Sequence, residues 1–292
     1  MMLGWLVAVA TGLLACDACG CVSMNPLNGQ LYPADRSYVG LGHAFNRQFV
    51  DARRALDIHS MRALAGFGFA RRFQLRLDLP VHHVARTTDD VVRRQWALGD
   101  LSVQLAWMAV DRRTEGGWKH TVVPMLGAAL PTGRFDDENP DRLSTGTGAV
   151  TPTVALQYIL RKGGAGLNIL LDAGLPLRNG DDYRYGSRWA ATAFAFVHRS
   201  VRRASYMPFA GVRAEHQRRD HHGDFVRPFT GGAGLFATGG LQWMQSGRWS
   251  IIIQGQFPLA QSYRSSAGDV LNAPRLQIQS LIHFNSFKKR TK

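Results

Sequence analysis

Long apolar runs and cysteine are both scarce in this 292-residue chain. Beyond the first sixteen residues no uninterrupted apolar stretch approaches the roughly 18–20 residues a helix needs to cross a bilayer, and the mean hydropathy is only −0.15. A helical membrane protein is therefore excluded. All three cysteines lie between positions 16 and 21, so no disulfide framework staples the rest of the chain. Acidic residues are few, 21 Asp and Glu against 35 Lys and Arg, for a formal charge of +14. Nucleic-acid binding is the usual reading of such a balance, but the placement of the charges argues for no nucleic-acid partner. Catalytic signatures are missing too: there is no Gly-x-Ser-x-Gly elbow and no His-Glu-x-x-His. Ser102 in Gly99-Asp-Leu-Ser invites comparison with lipolytic enzymes, yet it falls mid-strand rather than on a turn near the chain start. No enzyme activity and no cofactor are expected, with an outer-membrane lipid-modifying enzyme as a third reading.

What the chain has is period-two alternation. In Leu98–Val110, Leu101, Val103, Leu105, Trp107 and Ala109 share one face, and Asp100, Ser102, Gln104, Ala106 and Met108 share the other. That spacing fits a strand with one apolar and one mixed face. The pattern recurs in twelve segments, about 37–48, 61–71, 74–85, 95–110, 118–131, 147–161, 166–178, 186–199, 204–218, 227–244, 248–261 and 274–287. The segment at 118–131 alternates least well. Tight connections (Arg72-Phe73, Asp111–Gly117, Lys162–Ala165, Ser200–Arg203, Gln245–Gly247) alternate with longer ones (Val50–Ser60, Arg86–Arg94, Thr132–Gly146, Asn179–Tyr185, Arg219–Val226, Ser262–Ala273). Sorting of loops by parity is the habit of an outer-membrane barrel, with short periplasmic turns and long outer loops. The predicted fold is all-β, an antiparallel transmembrane β-barrel of about twelve strands.

Aromatic residues and charges follow the same frame. Trp107, Trp118, Trp243 and Trp249 lie beside short turns and Trp96 and Trp189 beside long loops, as a pair of interfacial girdles requires. Basic residues such as Arg71, Arg72, Arg112, Arg113, Arg161, Lys162, Arg202, Arg203 and Arg248 gather at the short turns. Acidic residues such as Asp89, Asp136, Asp137, Glu138, Asp182, Asp220 and Asp269 gather in the long loops. Cationic turns beside a leaflet of anionic phospholipid account for the excess of positive charge.

At the front, Met1–Ala15 is apolar and reads as a signal peptide. A cysteine-bearing segment, 16–36, follows. For Cys16, Cys19 and Cys21 three fates stay open: a disulfide or plain processing site, lipidation of Cys16, or a soft metal held by the three thiolates. The barrel then occupies 37–287, and a basic tail 288–292. The last strand, with Leu276, Ile278, Ile282 and Phe284, ends in an aromatic residue like the signal read by the barrel assembly machinery.

Three motifs, Gly99-Asp-Leu-Ser102 opening a strand, Leu130-Pro-Thr-Gly-Arg-Phe-Asp136 ending the next, and Gly146-Thr-Gly148 before Pro152–Leu160, resemble the outer-membrane transporter family associated with the phenol-degradation meta pathway. The chain also resembles exported members beginning Cys-Asp-x-Cys-Gly-Cys, here Cys16–Cys21, with a Gly-rich first strand at Val39–Gly42. The resemblance implies an outer-membrane barrel that passes small, often hydrophobic or aromatic, cargo.

Parity assigns Arg62, Arg76, Asp78, His82, Asp100, Gln104, Asp172, Arg178, Arg213, Glu215, Gln254 and Gln256 to the lumen, where they would tune selectivity or fill a narrow barrel. Gln157, Gln277, Gln279 and His283 share that parity. The histidines at His82-His83, His216 and His221-His222 carry a weaker metal reading. The expected protein is a passive channel in the bacterial outer membrane, with the lipid bilayer, a small-molecule cargo and the assembly machinery as partners. The alternative is a structural or metal-binding barrel whose functional part is the cysteine cluster.

Overall fold

The computed structural model describes residues 36–285 apart from 52, 71, 90, 136–143, 266 and 267. Twelve antiparallel staves close into a barrel. They are Arg36–Asp51, Arg54–Phe69, Phe73–Thr88, a broken fourth stave (Val91–Leu98, Leu101–Trp107, Val110–Arg113), Trp118–Leu130, Thr151–Lys162, Ala165–Gly174, Arg188–Val197 continued by Arg199–Val201, Ala204–Gln217, Gly232–Gln245, Trp249–Gln261 and Arg275–Asn285. Each pairs with its sequence neighbours, and stave one closes on stave twelve from Arg36↔Asn285 to Phe45↔Leu276. Closure removes the two free edges that an open sheet would leave unpaired.

Alternation drives the packing. On stave three Gln74, Arg76, Asp78, His82 and Val84 are buried inward, while Phe73, Leu75, Leu77, Leu79 and Val81 face out. Staves eleven and twelve repeat this, with Ile253, Phe257, Leu276, Ile278 and Ile282 exposed around the outside. Aromatic rows bound the apolar zone. At the tight-turn end Phe69, Phe73 and Trp107 stack in series, Trp243 meets Trp249 edge-on at 5.1 Å, and Lys162 lies over Trp118. Trp243 is partly buried; Trp107, Trp118 and Trp249 are exposed. At the other end Phe45, His59, His83 and Trp96 form one row across four staves, and Trp189 lies under Arg218. The ten-residue step from Phe73 to His83, at about 3.3 Å per residue and a tilt near 40°, spans about 25 Å. That is the height of a hydrocarbon core crossed by a barrel. With its apolar belt and its girdles, the chain sits in the bacterial outer membrane.

Two expected long connections are strand instead. Val50–Ser60 contains a tight turn at Asp51–Arg54, where Asp51 accepts hydrogen bonds from the Arg53 and Arg54 amides, and Arg86–Arg94 turns at Asp89. Above the bilayer both faces of a strand can be polar, so the composition mimics a loop. Inward-facing Leu56, Ile58 and Val84 form a buried cluster that holds these protruding hairpins together. The weakly alternating segment 118–131 is a regular stave paired on both sides. Stave seven ends at Gly174, stave six starts only at Thr151, and stave ten only at Gly232, each shorter than the pattern suggested. The signal peptide 1–15, Cys16, Cys19 and Cys21, the basic tail 288–292 and acidic loop residues such as Asp136 and Glu138 lie outside the described residues.

Inside the barrel, apolar clusters occupy part of the lumen. Phe194, Phe196, Met207 and Phe209 make one buried apolar cluster, Ala106, Met125, Ala155 and Leu170 a second, and Tyr38, Leu64, Ile252 and Leu281 a third. The Tyr38 ring lies directly over Gly66, where any Cβ would collide with it.

Placing a charge on the belt should be costly. Ile253→Arg, mid-stave and half exposed, is expected to destabilise the barrel in lipid by about 2–4 kcal/mol, whereas Phe225→Arg in an outer loop should change stability by less than about 0.5 kcal/mol. Denaturant titration in liposomes measures both, and equal effects would contradict the assigned lipid face.

Candidate functional site

Among the described residues a cavity of about 200 Å³ is left in the lumen, running from Tyr38 and Arg76 up to Tyr185 near the outer loops and lined by Arg62, Arg76, Asp78, His82, Asp100 and Arg188 among polar groups, and by Leu64, Pro80, Ala155 and Tyr185 among apolar ones. An apolar cavity of about 150 Å³ is already enough to hold benzene.

An ionic network surrounds it. Arg62 Nε donates to Asp78 Oδ1 at 3.0 Å, and a second guanidinium nitrogen contacts the other carboxylate oxygen. Arg213 donates to Thr192 at 2.9 Å and to Glu215 at 3.2 Å and reaches Asp172 at 3.5 Å. Arg275 grips Glu215 through both terminal nitrogens, at 3.1 and 2.8 Å, beneath a 2.6 Å hydrogen bond from the Tyr263 hydroxyl to the same carboxylate. The Arg275 guanidinium also lies 4.1 Å over the Phe236 ring. Buried charges persist only when paired and hydrogen-bonded in this way.

Asp100 has a different task. It sits in the break of stave four rather than within a strand, and its carboxylate accepts hydrogen bonds from the Gly133 amide (3.0 Å), the Thr147 amide (2.8 Å) and the Thr147 hydroxyl (2.8 Å). Thr132 Oγ1 accepts from the Leu101 amide and donates to the Gly99 carbonyl, and Thr145 donates to the Leu98 carbonyl. Gly133 and Gly146 are in backbone contact beside the carboxylate, so a Cβ at either would strike the other or Asp100 itself. The three sequence motifs thus converge in one latch. It folds the connection between staves five and six onto the rim of the cavity.

The remaining lumen candidates divide. Gln254 and Gln256 are buried inward on stave eleven, and Gln157, Gln277, Gln279 and His283 are buried too; Gln104 is partly buried on the cavity wall. Arg178 is not in the lumen: it lies beyond the end of stave seven, exposed, paired with Asp182 at 2.7 Å. Parity stops applying where the strand stops. Among the described residues no three His, Cys, Asp or Glu side chains gather as a metal site. His82 faces in and contacts Ser60 Oγ at 2.8 Å, whereas His83 faces out against Trp96. The Ser60–His82 pair recurs as Ser250–His283 at 2.9 Å, and among the described residues no carboxylate is hydrogen-bonded to His82. A nucleophile–base pair needs such an orienting group, so these pairs read as polar packing of the lumen.

Sequence reasoning missed Arg188 and Thr151. Arg188 shares parity with inward Thr192, a usable signal, but it adjoins a loop. Thr151 was placed deep in a longer strand.

A small outer sheet caps the loops: Tyr183–Arg184, His221–His222 and Phe225–Val226. Beneath it Asp220 is buried and accepts hydrogen bonds from the Tyr183 hydroxyl (2.6 Å) and the Gly186 amide (2.7 Å). Burial pushes its carboxyl above the ordinary value, opposed by those two donors.

A family profile described as "Putative MetA-pathway of phenol degradation" matches residues 42–270. Among curated proteins no match is found. Among solved structures, an outer-membrane channel from Pseudomonas putida F1 superposes with a TM-score of 0.68 at 13% identity, covering 87% of this chain and 97% of that one. The β-domain of the Bordetella autotransporter BrkA superposes with a TM-score of 0.51 at 11% identity, covering 86% of this chain and all of that one. At these identities the likeness is one of fold.

Two outcomes test the geometry. Asp100→Ala should release the latch, weakening local stability by roughly 2–3 kcal/mol and raising amide exchange at Gly133 and Thr147; unchanged protection there would refute it. Because the folded-state pKa of Asp220 is raised, its packing is most favourable when protonated and weakens as pH rises through that pKa. Protection factors of the outer sheet, corrected for intrinsic exchange, should therefore grow from neutral pH down to about 4. Asp220→Asn should flatten that dependence.

Proposed function

The chain belongs to the family described as the putative MetA-pathway of phenol degradation, and from that premise we propose that it is an outer-membrane channel for small hydrophobic or aromatic molecules. The observation that carries the reading is the cavity of about 200 Å³ that the described residues leave in the lumen, with apolar and polar wall side by side. Ligand sites are commonly concave and largely apolar, with a few polar groups that fix orientation. A pore for hydrophilic solutes would instead keep a water-filled lumen, whereas here apolar clusters take up part of it. Cargo enters from the outer side, occupies the cavity, and leaves when the packed interior rearranges. The P. putida channel of the same fold is consistent with a transport role.

The finer partners belong to the same reading. Residues 1–15 direct export, and the closing strand, with Leu276, Ile278, Ile282 and Phe284 outward, engages the barrel assembly machinery. The absence of enzymatic activity is part of the proposal, since among the described residues no carboxylate orients the Ser60–His82 pair.

Purified full-length protein in liposomes is expected to admit toluene or benzyl alcohol at a rate clearly above protein-free vesicles, with little steady ion conductance in planar bilayers. Entry no faster than in empty vesicles would overturn the channel reading, and large, constant conductance would overturn the hydrophobic-cargo reading.

A further inference from the structure

Five arginines and four carboxylates make up the cavity and the network around it: Arg62, Arg76, Arg188, Arg213 and Arg275 against Asp78, Asp100, Asp172 and Glu215. Among the described residues the ion pairs here are Arg62–Asp78, Arg213–Asp172, Arg213–Glu215 and Arg275–Glu215, and neither Arg76 nor Arg188 takes part. Arg76 is 8% exposed; Nε donates to Gln74 Oε1 at 2.8 Å and a terminal nitrogen meets the Met125 sulfur at 3.2 Å, both neutral partners. Asp100 is already engaged by three neutral donors of the latch. Among these nine described residues one positive charge is in excess.

Arg188 is the sharper case. Its Nε is buried without a hydrogen-bond partner, and so is Oγ1 of Thr151. Both residues line the cavity, and they meet above one glycine: a Cβ on Gly174 would lie 3.6 Å from Arg188 Nε, from its terminal nitrogen and from Thr151 Cγ2. A buried donor left unmade costs about 1–3 kcal/mol, more if charged. Two residues that carry such donors, one of them cationic, border the same cavity and are complementary to a carboxylate. The same wall continues into Pro176 and Tyr185, which offer apolar surface for the rest of a ligand.

We propose that the Arg188–Thr151 corner above Gly174 is a binding site for a small organic monoanion, a carboxylate whose apolar body is about the size of one aromatic ring. The carboxylate accepts hydrogen bonds from the guanidinium and from the Thr151 hydroxyl, and the ring lies against Pro176 and Tyr185. Arg76, nearly opposite on stave three, adds attraction without direct contact. This assignment rests on the channel reading and names the cargo class within it.

The test is calorimetric titration of the purified full chain with sodium benzoate, benzyl alcohol and sodium acetate at fixed ionic strength. Benzoate should bind at least tenfold more tightly than benzyl alcohol, which has the ring without the charge, and than acetate, which has the charge without the ring. Arg188→Gln should bring the benzoate to benzyl alcohol ratio close to one, and Thr151→Val, nearly isosteric, should reduce it three- to tenfold. Equal affinity for benzoate and benzyl alcohol in the unaltered protein, equal affinity for acetate, or an unchanged ratio in Arg188→Gln would each overturn the site. The unaltered protein decides the first two without any variant having to fold. Benzoate preference without flux into liposomes would leave the site standing and overturn the channel reading. Flux of neutral aromatics without benzoate preference would do the reverse.

Discussion

Everything in this molecule depends on the seam between staves one and twelve. Ten consecutive residue pairs, Arg36↔Asn285 to Phe45↔Leu276, turn a sheet with two open edges into a surface with none. In hydrocarbon an unpaired amide or carbonyl costs several kcal/mol, so an open sheet of this length could not reside there. Once the wall is closed, every stave has one face to lipid and one to the lumen. Period-two alternation then follows along the whole chain, and both the aromatic rows and the enclosed charges take their positions from it.

The interior resolves the conflict between charge and burial in two ways. Below, where Phe194, Phe196, Met207 and Phe209 interlock, the lumen behaves like an ordinary apolar core. Above, it holds a relay of arginines and carboxylates in which Glu215 serves both Arg213 and Arg275. Removing one member of such a relay would leave a buried charge exposed to low dielectric, which is far costlier than the relay is favourable. The cavity borders both, with Tyr38, Leu64 and Ala155 of the apolar clusters on its wall beside Arg62 and Asp78.

The antiparallel barrel and its stave number were legible from the sequence because period two is a local signal. Trp96 and Trp189 at one end and Trp107, Trp118, Trp243 and Trp249 at the other bracket the apolar band. The outer part of stave two, Arg54 to Ser60, and the last three residues of staves one and three were not legible, because strands above a bilayer need no apolar face toward lipid; Asp57 and His59 therefore resembled loop residues. The task of Asp100 was hidden for another reason. Its partners, Gly133 and Thr147, lie 33 and 47 residues away, and only the closed wall brings the three motifs to one point. Arg178 was misplaced because alternation was extended past the last ladder bond, and Arg188 was overlooked because it stands next to that same boundary.

The apolar packing inside the barrel has a kinetic meaning. An open pore passes solute in proportion to the gradient, however steep. A chamber that opens on one side and must rearrange to empty on the other handles one guest per cycle. For a passive carrier built this way, traffic rises with outside concentration and then levels off at the turnover of the floor formed by Met125, Leu170 and the phenylalanine cluster. For such a device saturation, rather than a flux that stays linear with the gradient, is the kinetic mark that separates it from an open pore.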